Sequence, residues 1–284
     1  MNIEQVVSVE NMRRSDKMTI DSGVPSAELM RRAAQGIFDS AAFTGKVAVV
    51  CGAGNNGGDG YALACILCEH GFTPVIFRVT DRFSPDGLYY YKKALSLGAE
   101  ERSACVPSPF VGFDIVVDCL LGTGFRGALD EKLCRVIEEI NTCGAFVISA
   151  DINSGLNGDT GTADFAVVSD LTVSVGYLKT GMFLNDAPSL IGKLRNAEIG
   201  IQLEREEYKL ADYSMLYMFE GYNSLSMTLA EFYERFGCKP EDGGVAEQAA
   251  RLSAELGKTV VIKTNRSAVI GDIKYVYFCA DYIV

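Results

Sequence analysis

A glycine-rich segment directly after a short apolar run constrains the fold of this chain more than any other feature. Residues 47–51 read Val-Ala-Val-Val-Cys, and residues 52–60 read Gly-Ala-Gly-Asn-Asn-Gly-Gly-Asp-Gly. The apolar run is typical of a strand buried on both faces, and from Tyr61 onwards apolar residues recur at helical spacing. The segment 52–60 is therefore predicted to be a loop that joins a strand to a helix.

A loop of this composition suits an anionic ligand. Glycine lets a ligand approach the backbone closely, and the N–H groups at the start of a helix attract phosphate. Gly52, Gly54 and Gly57 also match the dinucleotide-binding spacing, with Asp81 after the next strand available for a ribose hydroxyl. The spacing alone leaves a second interpretation open, in which the glycines only let the helix pack onto the sheet.

Strand-like and helix-like segments alternate up to residue 205. After a helix at 26–40 and the strand at 47–51, strands are predicted at 75–79, 114–121, 145–150, 171–175 and 197–201, with helices at 85–97 and near 130–141. This alternation predicts an α/β fold with a doubly wound, mostly parallel Rossmann-like sheet and helices on both faces. Ligands bind such sheets at the carboxyl ends of the strands.

Three polar groups of residues are expected to meet at that edge of the sheet. They are residues 55–59, Asp118 with the glycine-rich segment after it, and the segment from Asp151 to Ser154. An aspartate at the end of a strand also commonly caps a helix or closes a turn, and that alternative stays open for each aspartate alone. Several glycine-rich connections at one edge of the sheet would leave space there for a large ligand, which favours a binding site over purely structural turns.

The composition excludes several classes of function. With a net charge of −11 and an isoelectric point near 4.7, the chain lacks the basic surface that nucleic acid or an anionic membrane requires. No apolar run approaches the roughly 18 residues of a membrane span and the N-terminus lacks a signal-peptide pattern, so we expect a cytoplasmic protein. The single histidine, His70, argues against a Ser-His-Asp triad and leaves acid–base chemistry to carboxylates or lysine. The nine cysteines are predicted to be reduced, including Cys65 and Cys68 within a helix.

Residues 206–284 are predicted to form a second, small α/β domain after the first domain at 1–205. Helices are expected at 227–236 and 245–256, and strands at 259–263, 267–270 and 275–279. So short a unit has a modest core, and we expect it to rest on the first domain or on another subunit.

Several short motifs, in order, resemble those of the NAD(P)H-hydrate epimerases. They are Met12, Gly-Val-Pro-Ser at 23–26, Leu-Met at 29–30, Gly-Asn-Asn-Gly-Gly-Asp-Gly at 54–60, Asp-Cys-Leu-Leu-Gly-Thr-Gly at 118–124, Asp-Ile-Asn-Ser-Gly-Leu at 151–156 and Lys-Thr-Gly at 179–181. The resemblance covers residues 8–201 and is more specific than any one glycine-rich loop. It implies a metabolite-repair isomerase that interconverts the C6 epimers of NADHX and NADPHX, the hydrated forms of NADH and NADPH.

The resemblance also implies roles for individual residues. Asn56, Asp118 and Ser154 would hold one potassium ion per subunit, and such oxygen ligands suit a hard cation. Asp151 would contact the hydrated ring and is predicted to be the catalytic acid–base group, whereas Asp59 is expected to position the loop or the substrate. The implied substrate-binding residues, with residues 122–128 around the phosphates, are Asn55, Asn56, Gly57, Gly58, Asp59, Gly122, Thr123, Gly124, Phe125, Arg126, Gly127, Ala128 and Asp151.

Two residues depart from the pattern of the resembled family. Asn153 stands where proline is usual, so the loop that carries Asp151 and Ser154 loses a fixed φ, and Arg31 stands where glutamate is usual. The first departure, together with a shortened C-terminal segment, keeps a second hypothesis open, a catalytically impaired module that binds NAD(P)-like ligands without turnover. A third hypothesis, an NAD-dependent dehydrogenase, rests on the glycine spacing and lacks an obvious hydride-transfer partner.

The end of the chain resembles part of another enzyme. Segments between 228 and 270 resemble the middle of the ADP-dependent dehydratase domain that often follows the epimerase in bacteria, and its catalytic loop is absent before Val284. We therefore predict that residues 206–284 are a shortened, non-catalytic relic that serves dimerisation. The expected partners are a second copy of the chain in a homodimer and a separate dehydratase of the same pathway.

Overall fold

The computed structural model describes residues 4–125, 127–221, 223–237, 239–240, 244–272 and 274–284. Up to residue 205 the elements are β1 (Gln5–Val7), α1 (Val9–Asp21), α2 (Ser26–Asp39), β2 (Val47–Cys51), α3 (Asn55–Glu69), β3 (Val75–Arg78), α4 (Pro85–Ser96), β4 (Glu100–Ser103), β5 (Ile115–Cys119), α5 (Glu131–Thr142), β6 (Phe146–Ala150), β7 (Ser169–Val175), β8 (Leu178–Lys179), α6 (Ala187–Leu190) and β9 (Ile191–Ala197). The remaining elements are β10 (Tyr208–Leu210), α7 (Leu216–Phe219), β11 (Ser224–Thr228), α8 (Leu229–Phe236), α9 (Val245–Leu256), β12 (Thr259–Lys263), β13 (Ser267–Gly271) and β14 (Val276–Ala280).

The first sheet is parallel throughout and runs in the order β4-β3-β2-β5-β6-β7-β9. Successive side chains of a strand point to opposite faces, and β2 contributes to both. Val49 and Cys51 join a core formed with α2, α3 and α4, whereas Ala48 and Val50 join a second core formed with α5. The prediction of a doubly wound parallel sheet with helices on both faces is confirmed.

The helix after β2 begins six residues earlier than predicted. Residues 55–60 form the first turns of α3, so the prediction of a loop across them is wrong. A Cβ at Gly57 would lie 2.1 Å from the carbonyl oxygen of Gly52, and one at Gly60 would lie 2.8 Å from the sulfur of Cys51. The glycines let the start of α3 lie against the end of β2, which overrides their low intrinsic preference for a helix.

The second sheet combines strands from both parts of the chain. Its order is β11-β12-β13-β14-β10-β1-β8, so β1 and β8 complete a sheet whose other strands follow residue 205. Val6 of β1 pairs with Tyr208 on one side and with Leu178 on the other. Leu194 of the first sheet also donates its N–H to Tyr282 O at 2.7 Å. The predicted domain boundary at 205 stays a prediction, and the small unit rests on the first sheet through these hydrogen bonds.

Several predicted elements differ from those observed. The predicted strand at 197–201 is wrong, because β9 ends at Ala197, and the predicted helix at 227–236 begins only after β11. Several elements were not predicted, among them α1, and β4, whose four residues are all exposed. Both β4 and β9 lie at the edges of the first sheet, where a strand is half solvated and lacks the continuous apolar run of β2.

Within the described residues, no helix is long and apolar enough to cross a membrane. The eight cysteines among them are all free thiols. Burial inside α3 raises the pKa of the Cys65 thiol to about 12, which favours packing over redox chemistry for the Cys65 and Cys68 pair.

Candidate functional site

A cavity of about 510 Å³ opens at the carboxyl ends of β2, β5 and β6. Its walls are formed by one side of α1, the start of α2, the first turns of α3 and the segment after β5. This is the edge of the sheet at which the strand order predicts a ligand. Eight of the predicted substrate-binding residues line the cavity: Asn55, Asn56, Asp59, Gly122, Thr123, Gly124, Phe125 and Asp151.

The other predicted substrate-binding residues lie elsewhere or outside the described residues. Gly57 faces the backbone of Gly52, and Gly58 faces the side chain of Met30, so both lie behind the wall of the cavity. Gly127 adopts a φ of +92° and, like Ala128, is not part of the cavity lining. Arg126 lies outside the described residues.

Asp118 lies fully buried in β5, one residue before its end, and holds the neighbouring loop in place. One carboxylate oxygen accepts hydrogen bonds from Ser154 Oγ at 2.5 Å and Leu120 N at 3.2 Å. The other accepts from Ser154 N at 2.9 Å and Ser149 Oγ at 3.0 Å. Burial raises the pKa of the Asp118 carboxyl, and these hydrogen bonds oppose the rise because they favour the ionised form.

Asn56 and Ser154 meet at the backbone of Leu121. Asn56 donates its Nδ2 hydrogen to Leu121 O at 2.8 Å, and Leu121 N donates to Ser154 Oγ at 2.9 Å. Asn56 is only 6 % exposed, and its Oδ1 has no hydrogen-bond partner among the described residues. A buried carbonyl oxygen without a partner is costly, so Asn56 Oδ1 is a candidate ligand atom. The three predicted metal ligands, Asn56, Asp118 and Ser154, are thus brought together.

Hydroxyl, amide and carboxylate oxygens make up this group. Such donors suit a hard cation and not a soft transition metal. Within the described residues there is no cluster of three or more His, Cys, Asp or Glu side chains able to hold a metal ion, so a cation at this group would depend on hydroxyl and amide oxygens besides one carboxylate.

Asp151 occupies a strained position directly after β6. Its φ is +65°, in the left-handed region that a residue other than glycine enters at a cost of about 1–3 kcal/mol. Lys179 Nζ donates to one carboxylate oxygen of Asp151, and the backbone N–H of Thr123 lies 3.5 Å from the other. The surrounding structure thus aims the carboxylate into the cavity with both oxygens in contact with donors.

Lys179 is a buried cation committed to Asp151. It is 0 % exposed, and Nζ also donates to Ser174 Oγ at 3.0 Å and to Val175 O at 2.9 Å. All three ammonium hydrogens therefore have acceptors. Its contact with Asp151 is therefore an ion pair whose cation is excluded from solvent.

Asp16 and Asp59 are two further carboxylates in the cavity lining. Burial and the negative charge of Asp151 raise the pKa of Asp16. Burial, Asp151 and Asp16 raise the pKa of Asp59 well above its usual value, and Lys179 opposes this rise. Asp16 was not predicted as a site residue, since it lies on α1, which the apolar periodicity did not reveal. Met12 and Ile20 line the cavity with it at intervals of four residues, and this stripe is the signal that could have identified Asp16.

Asn153 replaces the fixed φ of proline with side-chain hydrogen bonds. Its side chain is fully buried, and Nδ2 contacts Val167 O at 2.9 Å, Ser169 Oγ at 3.0 Å and Leu190 O at 3.1 Å. Its Oδ1 accepts a hydrogen bond from Thr172 Oγ1 at 2.6 Å. The segment between Asp151 and Ser154 is therefore anchored to β7 and α6, which argues against a loss of rigidity.

Comparison with known proteins identifies similar chains. Residues 26–181 match the family model described as YjeF-related protein N-terminus. The chain is 30 % identical over 197 residues to a protein of Limosilactobacillus fermentum named NAD(P)H-hydrate epimerase. The aligned region covers 67 % of this chain and 95 % of that relative. It is 36 % identical over 196 residues to the bifunctional NAD(P)H-hydrate repair enzyme Nnr of Methanothermobacter thermautotrophicus. Here the aligned region covers 63 % of this chain and 37 % of that relative.

A solved structure from yeast is similar in fold. The crystal structure of yeast ynu0 superposes with a TM-score of 0.56 at 21 % sequence identity, over 62 % of this chain and 82 % of the yeast chain. At this identity the likeness supports the fold alone. The chain spans almost the whole length of the single-function relative but well under half of the bifunctional one.

Proposed function

This chain belongs to the family of YjeF-related proteins that includes the NAD(P)H-hydrate epimerases, and on that premise we propose that it epimerises C6 of hydrated NADH and NADPH. The observation that carries the proposal is Asp151, held in a left-handed conformation in the cavity wall against the buried Lys179. A strained residue is retained where its orientation matters, and this one presents a carboxylate to the ligand space. Asp151 is the proposed catalytic acid–base group.

The proposed reaction changes the configuration of one carbon that carries a hydroxyl group next to the ring nitrogen. Either the nitrogen expels the hydroxyl and water returns on the opposite face, or the ring opens and closes again. Both routes move a proton on or off an oxygen or nitrogen beside C6, which a carboxylate within hydrogen-bond reach accelerates. The cofactor is here the substrate, so no hydride acceptor is needed.

The phosphates of the substrate are proposed to lie between the start of α3 and the segment after β5. The first N–H groups of a helix point at an anion, and a Cβ added to Gly54, directly before α3, would meet nothing within 4 Å. Gly124 faces open space in the same way. Among the described residues that line the cavity, Arg13 is the one cationic side chain and supplies positive charge near four aspartates.

A potassium ion is proposed at Asn56, Asp118 and Ser154. Asn56 Oδ1 fits, because it is buried and unpartnered, and Asp118 contributes negative charge from directly behind Ser154. Four protein donors already contact the Asp118 oxygens, so direct contact with the ion requires the Ser154 hydroxyl hydrogen to turn away. When bound, the ion supplies positive charge beside the anionic substrate.

The remaining elements of the proposal concern partners and location. The bifunctional relative suggests that the product passes to a dehydratase, and we propose a separate dehydratase as that partner. A homodimer, a cytoplasmic location and a non-catalytic role for residues 206–284 also stay proposals. The side-chain contacts of Asn153 anchor the segment that proline would have fixed, which removes one of the two motives for the catalytically impaired module; the other is the shortened C-terminal segment.

The direct test starts from one purified epimer of NADPHX or NADHX. We expect the wild-type protein to accelerate its conversion to the equilibrium mixture, followed by chromatographic separation of the epimers. Thermal stabilisation by NADPHX without faster exchange would contradict the proposal and support a binding module. Formation of NADP⁺ with transfer of a hydride would support a dehydrogenase.

A further inference from the structure

The proposed epimerisation needs two proton-carrying groups, and this inference rests on that proposed function. When the C6–O bond breaks, the leaving oxygen takes a proton and departs as water, and the ring nitrogen forms a double bond to C6. Water then bonds to C6 on the other face and gives a proton to a base, so that no net proton or electron is consumed. Asp151 can serve one face of the ring, and the other face requires a second group.

The rotation of α1 aims Asp16 into the cavity. The stripe Asn11, Ser15 and Thr19 packs inward and is fully or almost fully buried. Asn11 Nδ2 donates to Arg205 O at 2.9 Å, and Ser15 Oγ and Thr19 Oγ1 accept from Glu204 N and Gln202 N, each at 2.9 Å. The neighbouring stripe, one residue further along, contains Met12, Asp16 and Ile20, all of which line the cavity.

Asp16 differs from Asp151 in its surroundings. Asp151 is paired with Lys179, whereas Asp16 makes no hydrogen bond or ion pair within the described residues. Burial and the charge of Asp151 both favour a proton on Asp16. One carboxyl in the cavity is thus held by a buried cation, and the other has no partner among the described residues, which suits the two groups to opposite roles, one as a base and one as an acid.

We propose that Asp16 is the second catalytic acid–base group, which serves the face of the nicotinamide ring turned away from Asp151. In one direction Asp16 protonates the departing hydroxyl while Asp151 accepts a proton from the incoming water. In the reverse direction the two carboxylates exchange roles. Proton exchange with solvent through the mouth of the cavity resets the pair.

Asp59 is the competing candidate in the same cavity. It lies on the second turn of α3, and burial, Asp151 and Asp16 raise the pKa of its carboxyl well above the usual value. A group that alternates between its two forms in each cycle is more effective when its pKa lies near the working pH. Asp59 is therefore assigned to hydrogen bonding with the substrate.

The pH dependence of Asp16 is set by a small group of charges. The charged side chains that share the cavity with it are Arg13 on α1 itself, Asp59 on α3, Asp86 on α4 and Asp151 after β6, with Lys179 behind Asp151. Substitution of Asp16 by asparagine removes the titrating group and leaves these charges in place.

The experiment compares wild type, Asp16→Asn, Asp16→Glu and Asp59→Asn in epimer exchange across pH, with NADPH binding and Tm measured on each protein. We expect the wild-type rate to fall at alkaline pH, and we expect Asp16→Asn to lower the exchange rate by about 10²- to 10⁴-fold and to abolish that fall. Asp16→Glu restores part of the rate. In Asp16→Asn NADPH binding stays unchanged and Tm does not fall, because asparagine removes a carboxyl whose ionisation burial disfavours. Asp21→Asn is the matched control, since Asp21 lies on α1, is exposed and pairs with Lys17.

Four outcomes contradict the inference in distinguishable ways. An inactive wild type removes the proposed function and the inference together. An active wild type with an equally active Asp16→Asn removes the inference alone. Parallel losses of exchange, NADPH binding and Tm in Asp16→Asn assign Asp16 a structural role. Loss of the alkaline fall in Asp59→Asn, and its retention in Asp16→Asn, transfers the role to Asp59.

Discussion

Asn153→Ala is expected to destabilise the protein by about 3 kcal/mol. The amide of Asn153 has two hydrogens, so its three donor contacts amount to two hydrogen bonds with one of them shared. With the bond from Thr172 Oγ1 there are three, each with a net contribution of about 0.5–1.5 kcal/mol. Three bonds of about 1 kcal/mol each give the expected loss of about 3 kcal/mol, and full burial of the side chain argues against the lower end of the range.

Urea unfolding at equilibrium measures this loss of stability. Two further variants test whether the loss comes from the hydrogen bonds of Asn153. Asn223→Ala is the control, because the exposed Asn223 side chain makes one hydrogen bond, to Gly257 O at 3.2 Å, and its loss should cost less than about 0.5 kcal/mol. Asn153→Pro regains only about 0.4–1 kcal/mol through its fixed φ, so it should remain less stable than wild type. The reasoning is refuted if Asn153→Ala costs no more than the control or if Asn153→Pro equals wild type.

Glycine packing, a buried carboxyl and the ion site each give a further expected outcome. Gly57→Ala should lose about 1–3 kcal/mol of stability in urea unfolding, because its Cβ would lie 2.1 Å from Gly52 O. Gly54→Ala should unfold like wild type and bind NADPH more weakly, and equal effects of the two substitutions on stability would contradict this account. Burial raises the pKa of Asp59 in the folded protein. The contribution of Asp59 to the free energy of unfolding is therefore fully present below the pKa of the unfolded chain, near 3.8, and is lost as pH rises towards the pKa of the folded state. The Tm of Asp59→Asn minus the Tm of wild type should therefore be more positive at pH 8 than at pH 5. The same difference at both pH values would count against a raised pKa. Potassium chloride should raise Tm more than choline chloride does at equal ionic strength. At a potassium concentration a hundredfold above Kd, the bound ion should add about 2.7 kcal/mol to the free energy of unfolding. Asn56→Ala should abolish the difference between the two salts. An equal response to both salts would remove the proposed ion site.

The interior strands of the first sheet could be predicted because their signal is local. β2 and β5 are buried on both faces, so an apolar run marks them directly. The edge strands β4 and β9 carry polar residues that face solvent, and nothing in their sequence distinguishes them from loops. The start of α3 was missed for a different reason. Its glycines are required by close packing against the backbone of Gly52, and not by a local conformational preference.

The candidate site follows the same division between local and distant signals. Asp118 and Asp151 come directly after apolar runs, so their place at the edge of the sheet could be deduced. Asp16 was missed, because the four-residue stripe that contains it does not show which way α1 faces, and that orientation depends on hydrogen bonds to residues 202–205, far along the chain. The partners of Asn153 are 14 to 37 residues away, which is why its substitution for proline looked like a loss.

The central claim is that Asp151 is an acid–base group of the epimerisation. Its most direct test is the exchange rate of Asp151→Asn at saturating NADPHX, with the fold checked by Tm and the ligand site by NADPH binding. We predict a loss of about 10²- to 10⁴-fold in exchange with a folded protein that still binds NADPH. An Asp151→Asn protein that exchanges the epimers at the wild-type rate would contradict the claim.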